Sequence, residues 1–239
     1  MAVHLRQICL VARDLAPAID ALRDRLNLPV AHVDGAVGKY GLENTLLTAG
    51  TQFLEVVAPI RDDTAAGRFL DRRGGDGGYM VICQADSAEA QTQVRENARR
   101  AGVREAHFAD RGDWNICQFH PGDMGAAFLE VDWDTDCDVT GRWMPAGTDW
   151  TPGADGEGIP WVELQSDDPA ALAARWAAVL GVSVGGSDAT PTVALANAEL
   201  RFVRAQDGRG AGLSGLGVRL PGAEAGTAAI CGTRFEIEG

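Results

Sequence analysis

Along the chain the apolar positions switch period in a recurring order, from a strand-like run to a helical stripe and back to strands. Three segments open on it: QICLVARDLAPAIDALRDRLNL, YMVICQADSAEAQTQVRENARRAGV and WVELQSDDPAALAARWAAVLGV. In the first, Leu15, Ile19, Leu22 and Leu26 recur at intervals of four, three and four residues, which places them on one face of an amphipathic helix. Aligning Asp14 with Asp86 and Asp168 sets Leu22 over Val94 and Trp176, and Leu26 over Ala98 and Leu180. The three aspartates read as helix N-caps, because a carboxylate there accepts the free N–H groups of the first turn and faces the positive end of the helix dipole. The spacing predicts helices over 15–26, 87–101 and 169–180.

A second phrase closes each unit: GTQFLEVV from Gly50, GAAFLEVD from Gly125 and GTRFEIEG from Gly232, with a weaker copy, NAELRFVR, from Asn197. Each is a turn former entering an alternating, half-buried strand. Strand, helix and further strands therefore recur four times, the last copy lacking its helix between Leu220 and Thr227. The predicted fold class is α+β, with repeated βαβββ modules in two pairs and mostly antiparallel, curved sheets. The stretch 138–158, rich in Gly, Pro, Asp and Thr, reads as a linker between a module pair at 1–137 and a degenerate pair at 159–239. A shorter connector, RDDTAAGRFLDRRGGDGG, joins the first two modules.

Composition changes this picture only by exclusion. The formal charge of −13 and pI near 4.6 repel phosphate backbones and anionic membranes, so nucleic-acid and membrane partners are not expected and a small-molecule ligand is. A homodimer is compatible with this reading. The opening MAVHLRQICLVARDL is too short and too interrupted by Arg6 and Arg13 for a signal peptide, and no run approaches the length of a membrane span, so a cytoplasmic location is expected. Cys9, Cys83, Cys117, Cys137 and Cys231 lack CxxC spacing and are odd in number, so they read as free thiols.

Glu55 and Glu130 end the near-identical phrases FLEVV and FLEVD. A carboxylate in an apolar strand is costly to bury without a cation, a proton or hydrogen-bond donors, so two at matching positions invite a partner unless alternation turns both to solvent. Asn44 precedes Glu55 by eleven residues across a hairpin, and it either faces the same side or serves as a turn amide. His120, in FHPGDMG, stands at the turn entering the strand of Glu130. Arg68, Arg72 and Arg73 cluster in the short connector, where a guanidinium could clamp a substrate carboxylate or join local ion pairs.

The phrases QICLVARDL and QFLEVVAP, repeated as YMVICQADS and AFLEVDW, resemble the glyoxalase and bleomycin-resistance proteins of the vicinal-oxygen-chelate superfamily over residues 5–133. The resemblance implies a cup formed by two modules, with a metal held by one residue of the first and one of the fourth strand of each. Those places carry over to Gln7 and Glu55, and to Tyr79 and Glu130. Trp161 falls at the Gln7 place of the C-terminal half, and Phe202 and Ile237 fall at the glutamate places, which makes that half an apolar scaffold. The metal ligands implied are Gln7, Glu55 and Glu130. Such an oxygen-only set favours magnesium, manganese or calcium over zinc, and an absence of any cofactor is the other reading, because Tyr79 is a poor ligand. The function implied is an enzyme, a lyase or isomerase, acting on a small carbonyl-containing or enolisable substrate. Glu130 or Glu55 would move the proton, and Tyr79, Asn44, His120 and Arg68 would contact substrate. The alternative is a metal-free binding protein of the bleomycin-resistance type, its surface made by Phe53, Tyr79, Trp114 and Phe128.

Overall fold

The computed structural model describes residues 2–239. Its elements run β1 (Val3–Val11), α1 (Leu15–Leu26), β2 (Val30–His32), β3 (Leu42–Ala49) and β4 (Gln52–Pro59), then α2 (Ala65–Arg73). The second module is β5 (Gly77–Ala85), α3 (Ala88–Arg100), β6 (Glu105–Asp110), β7 (Trp114–Phe119), α4 (Pro121–Met124) and β8 (Phe128–Asp134). The third is β9 (Trp161–Ser166), α5 (Pro169–Leu180), β10 (Val184–Gly186), β11 (Pro191–Ala194) and β12 (Glu199–Arg204), and the fourth β13 (Gly212–Arg219), β14 (Gly226–Ile230) and β15 (Thr233–Glu238). The class is α+β, and the fourth module has no helix, as the break at Leu220 implied.

One ladder recurs in each helical module. The first strand pairs in parallel with the last, and the remaining strands follow antiparallel, in the orders β1-β4-β3-β2, β5-β8-β7-β6 and β9-β12-β11-β10. A parallel pair needs a crossover longer than a hairpin, and the helix supplies it. The helix then buries its apolar stripe on the sheet. Leu22, Val94 and Trp176, equivalent in the aligned segments, are each 0% exposed, and burial of such a side chain stabilises the fold by about 1.5–3 kcal/mol.

Two compact units divide the chain. The first takes residues 2–6, Met80–Arg142 and Pro160–Leu213; the second takes Gln7–Tyr79, Trp143–Ile159 and Ser214–Gly239. The first thus gathers the second and third modules, with α3 against α5, and the second gathers the first and fourth, with α1 against β14. Both units draw on sequence before and after residues 138–158.

Three local expectations change. Only Asp168 caps its helix as argued, accepting from Ala171 N–H; Asp14 makes no side-chain cap bond. In the second module the cap is Ser87, one residue later, while Asp86 accepts from Ala2 N–H at 2.8 Å. The short connector is not merely a loop, since α2 forms in it, capped by the Thr64 hydroxyl and ended by Gly74 at φ 73°. Part of the long connector is also held in place. Gly153 N–H donates to Gly50 O at 2.8 Å, and Gly50, at φ 64° in the β3–β4 turn, has no room for a Cβ beside the Glu157 carbonyl.

Candidate functional site

In the second unit β1 and β4 run in a register that pairs Gln7 with Phe53 and Cys9 with Glu55, and β3 sets Leu46 opposite Glu55 and Asn44 opposite Val57. Paired positions share a face, so Gln7, Cys9, Asn44, Phe53 and Glu55 lie on one side. Glu55 is not turned to solvent: it is 8% exposed, and Gln7, Asn44 and Trp143 are each 2% exposed. Gln7 Nε2 donates to Glu55 Oε2 at 2.8 Å and Asn44 Nδ2 to Glu55 Oε1 at 2.7 Å. Each amide oxygen is taken as well, that of Gln7 by Trp143 Nε1–H at 2.8 Å and that of Asn44 by Asp34 N–H at 2.9 Å. Trp150 stands edge-on to Phe53 with ring centroids 4.9 Å apart.

Burial pushes the Glu55 carboxyl above its ordinary pKa of 4.5, while hydrogen bonds from Asn44, Cys9 and Gln7 pull it down and the charge of Asp34 adds to the rise. A buried carboxylate raised in this way, and held by two N–H donors, is a stronger proton acceptor than an exposed one. The same arrangement does not fit a divalent cation. The oxygen that Gln7 would present is engaged by an indole, and both Glu55 oxygens are engaged by amide nitrogens. Among the described residues no group of three or more His, Cys, Asp or Glu side chains could hold a metal ion.

Glu130 belongs to the first unit. β5 pairs in parallel with β8, setting Ile82 opposite Glu130 and Gln84 opposite Asp132. Glu130 is 4% exposed and its Oε2 accepts from Gln118 Nε2 at 2.6 Å. Asp132 and Asp134 follow on the same face of β8. Gln84 donates to Asp134 at 2.9 Å and accepts from the fully buried Arg6 at 2.6 Å, and Arg6 also reaches Asp138 O and Gly141 O. Burial pushes the Arg6 guanidinium down to about 10, against Asp134 and Asp138, which raise it. Neither oxygen of Asp132 receives a well-formed hydrogen bond, and burial first, then the neighbouring Glu130, pushes its carboxyl well above the usual carboxylate range.

The other candidate residues are spread more widely. Tyr79 packs edge-on against Phe69 of α2 at 4.9 Å, and burial raises its hydroxyl pKa above 10, with Cys9 adding and Arg72 and Arg68 opposing. It is out of phase with Met80, Ile82 and Gln84. By pairing, Met80 meets Phe128 as Gln7 meets Phe53, so Met80 rather than Tyr79 holds the place equivalent to Gln7. Arg68 donates to Asp63 O at 2.8 Å, and His120 lies half-buried beside Arg104 and Asp123. In the third module a one-residue step falls in the last strand instead. Trp161 pairs with Glu199, and Arg201 is the next residue on that face, stacked on Trp161 at 4.4 Å and bridged to Glu199 at 2.9 Å. Phe202 turns instead toward Trp176 of α5, so this module keeps charged groups where apolar filling was expected. Sequence reasoning passed over Trp143, Gln118 and Asp132. The two tryptophans, Trp143 and Trp150, inside an otherwise polar, Gly- and Pro-rich connector were the signal that could have flagged the first of them.

A family model described as glyoxalase-like domain matches residues 8–180, more than half of the chain. The chain belongs to the glyoxalase-like family. This glyoxalase-like protein, a member of the vicinal-oxygen-chelate superfamily, shares its fold with a hypothetical protein from Staphylococcus aureus, with TM-score 0.70 and 13% identity over 100% of this chain and 99% of that one. It is also similar to a mutant of 4-hydroxymandelate synthase from Streptomyces coelicolor, with TM-score 0.67 and 17% identity over 92% and 72% of the two chains. A methylmalonyl-CoA epimerase complex aligns at TM-score 0.49 and 19% identity over 58% of this chain and 99% of that one. No curated protein matches the glyoxalase-like protein by sequence. Among its described residues no helix is long and apolar enough to cross a membrane.

Proposed function

We propose that this glyoxalase-like protein is an enzyme that moves a proton on a small enolisable carbonyl compound, with Glu55 as the proton carrier and without a bound cation. The observation that carries the reading is the buried Glu55 carboxylate gripped by Gln7 and Asn44 at 2.8 and 2.7 Å. In the reaction Glu55 takes a proton from the carbon next to the carbonyl, the electron pair moves into an enolate, and the proton returns to the same or the adjacent carbon. The raised pKa supports this role, since a base of ordinary acidity would be a weaker acceptor near neutral pH. Glu130, with Gln118, is a second carboxylate–amide pair and the second candidate carrier.

The test is solvent deuterium exchange followed by proton NMR, using α-hydroxy ketones, 2-oxo acids and 1,3-dicarbonyl compounds. The wild type should exchange at least one class faster than buffer, and Glu55→Gln should lose about 10²–10⁴-fold of that rate, the range for a positioned acid–base group. Glu130→Gln run in parallel decides between the two carboxylates. The half-buried Trp150, packed edge-on over the buried Phe53 on the Glu55 side, favours a second reading, a protein that binds a planar ligand without chemistry. Saturable binding of a planar compound, with no exchange in any class, would replace the first reading by the second.

A further inference from the structure

We propose that Trp143 is the positioning residue of the Glu55 site and the group that keeps it free of a cation. Its indole N–H fixes the amide of Gln7 with the nitrogen toward Glu55 and occupies the oxygen that a cation would need. The inference rests on hydrogen-bond polarity. An amide can present either end, but an indole is a donor only, so it must meet the carbonyl oxygen of Gln7, and the Gln7 nitrogen is left facing Glu55. The reversed amide would set a donor against the indole and an acceptor against the carboxylate, losing both bonds at once. Asn44 is fixed in the same sense by the Asp34 N–H, so Glu55 meets nitrogen on both sides.

The lock is built into the chain and is not an incidental contact. Trp143 is 136 residues from Gln7 in sequence, and the segment that carries it is fastened at several other points. Met144–Ala146 forms a tight turn, Gly153 donates to Gly50 O, Trp150 meets Phe53, and the Gln52 amide both accepts from Ile159 N–H at 2.6 Å and donates to Ile159 O at 3.2 Å. All of these groups belong to the second unit. Removing the indole N–H leaves the Gln7 oxygen without its donor and lets the amide turn. Gln7 and Glu55 would then offer hard oxygen donors of the kind that magnesium and manganese accept.

The experiment is manganese titration of the purified protein, read by electron paramagnetic resonance and by broadening of side-chain NMR signals, and it does not depend on whether the protein turns over a substrate. The wild type should leave the Trp143 indole and Gln7 amide signals sharp in excess manganese chloride. Trp143→Phe should bind manganese at least about tenfold more tightly, with broadening centred on Gln7, within the range by which groups behind metal ligands change affinity. Stoichiometric manganese binding by the wild type with loss of the Trp143 signal would overturn the proposal, and so would a folded Trp143→Phe with no gain. Should Trp143→Phe fail to fold, Gln7→Leu tests the lock by itself. Exchange of the Trp143 indole proton should speed up at least about tenfold when its acceptor is removed, and unchanged protection would refute the bond.

Discussion

Glu55→Gln changes one atom and no volume, so it tests whether the carboxylate is held as described. A glutamine at this position offers one oxygen and one NH2 to two neighbours that both present NH2. Neither neighbour can reverse without losing its own donor, because the Gln7 oxygen is held by Trp143 and the Asn44 oxygen by Asp34 N–H. One amide of the clamp and the new NH2 therefore face each other as two buried donors without acceptors. At about 1–3 kcal/mol for each such group, the variant should lose roughly 2–6 kcal/mol of stability, where a surface Glu→Gln exchange would lose almost nothing.

The pH dependence sharpens the test. Glu55 has a raised pKa in the fold, so the native state holds the proton more tightly than the unfolded chain, whose glutamate titrates near 4.5. Stability from this group is present at acid pH and declines as pH rises from about 4.5 through the native pKa. Glu55→Gln cannot titrate, so the gap between wild type and variant should be widest near pH 4 and should narrow toward neutral pH, by about 1.4 kcal/mol for each unit of the shift. Urea unfolding followed by tryptophan fluorescence across pH 4–8 measures it. A variant within about 0.5 kcal/mol of wild type, with a gap independent of pH, would show that Glu55 is hydrated and that the clamp does not form.

Asp132→Asn should stabilise the protein above neutral pH by about 1–3 kcal/mol, because it removes a buried carboxyl that lacks well-formed hydrogen bonds beside Glu130. The raised pKa of Asp132 means that the wild type loses this stability as pH rises, so the two proteins should converge in acid urea titrations. Arg6→Met should cost about 3–5 kcal/mol, since it leaves Asp134 and the Asp138 and Gly141 carbonyls without their buried cation; the midpoint of thermal unfolding reads it. Ser87→Ala and Asp168→Ala should each cost about 1 kcal/mol and Asp14→Ala less than about 0.5, because only the first two side chains accept a first-turn N–H. Equal losses at all three, measured by urea unfolding, would contradict the observed caps.

The fold was legible because its signals are redundant. The helix stripe of each module needs only the right spacing, and a one-residue error at Asp86 leaves Val94 and Ala98 on the buried face regardless. The burial of Glu55 was legible too, in the apolar neighbours of FLEVV. What could not be read was whatever hangs on strand phase. A strand has period two, so a single-residue slip turns a side chain to the other face. Aligning on Asp86 rather than on the true cap Ser87 moved the Gln7 place from Met80 to Tyr79, and a separate one-residue error, in matching NAELRFVR to GTQFLEVV, put Phe202 where the ladder sets Arg201.

The partners of Glu55 show a second limit. Asn44 lies eleven residues away across a hairpin whose turn fixes the register, so its approach follows from local sequence. Trp143 comes from a connector that has no period of its own, and nothing in the local pattern fixes where such a segment lies. Yet the connector decides what the site is. Gln7, Asn44 and Glu55 alone would be an oxygen-rich set with two amides free to turn either way, suited equally to a cation or to a proton. The indole N–H removes that freedom from Gln7, as the Asp34 N–H removes it from Asn44, and what remains is a carboxylate between two nitrogen donors. The chemistry of the site is therefore set by two groups outside the strands that form it, one a backbone N–H and the other a side chain 136 residues downstream of Gln7.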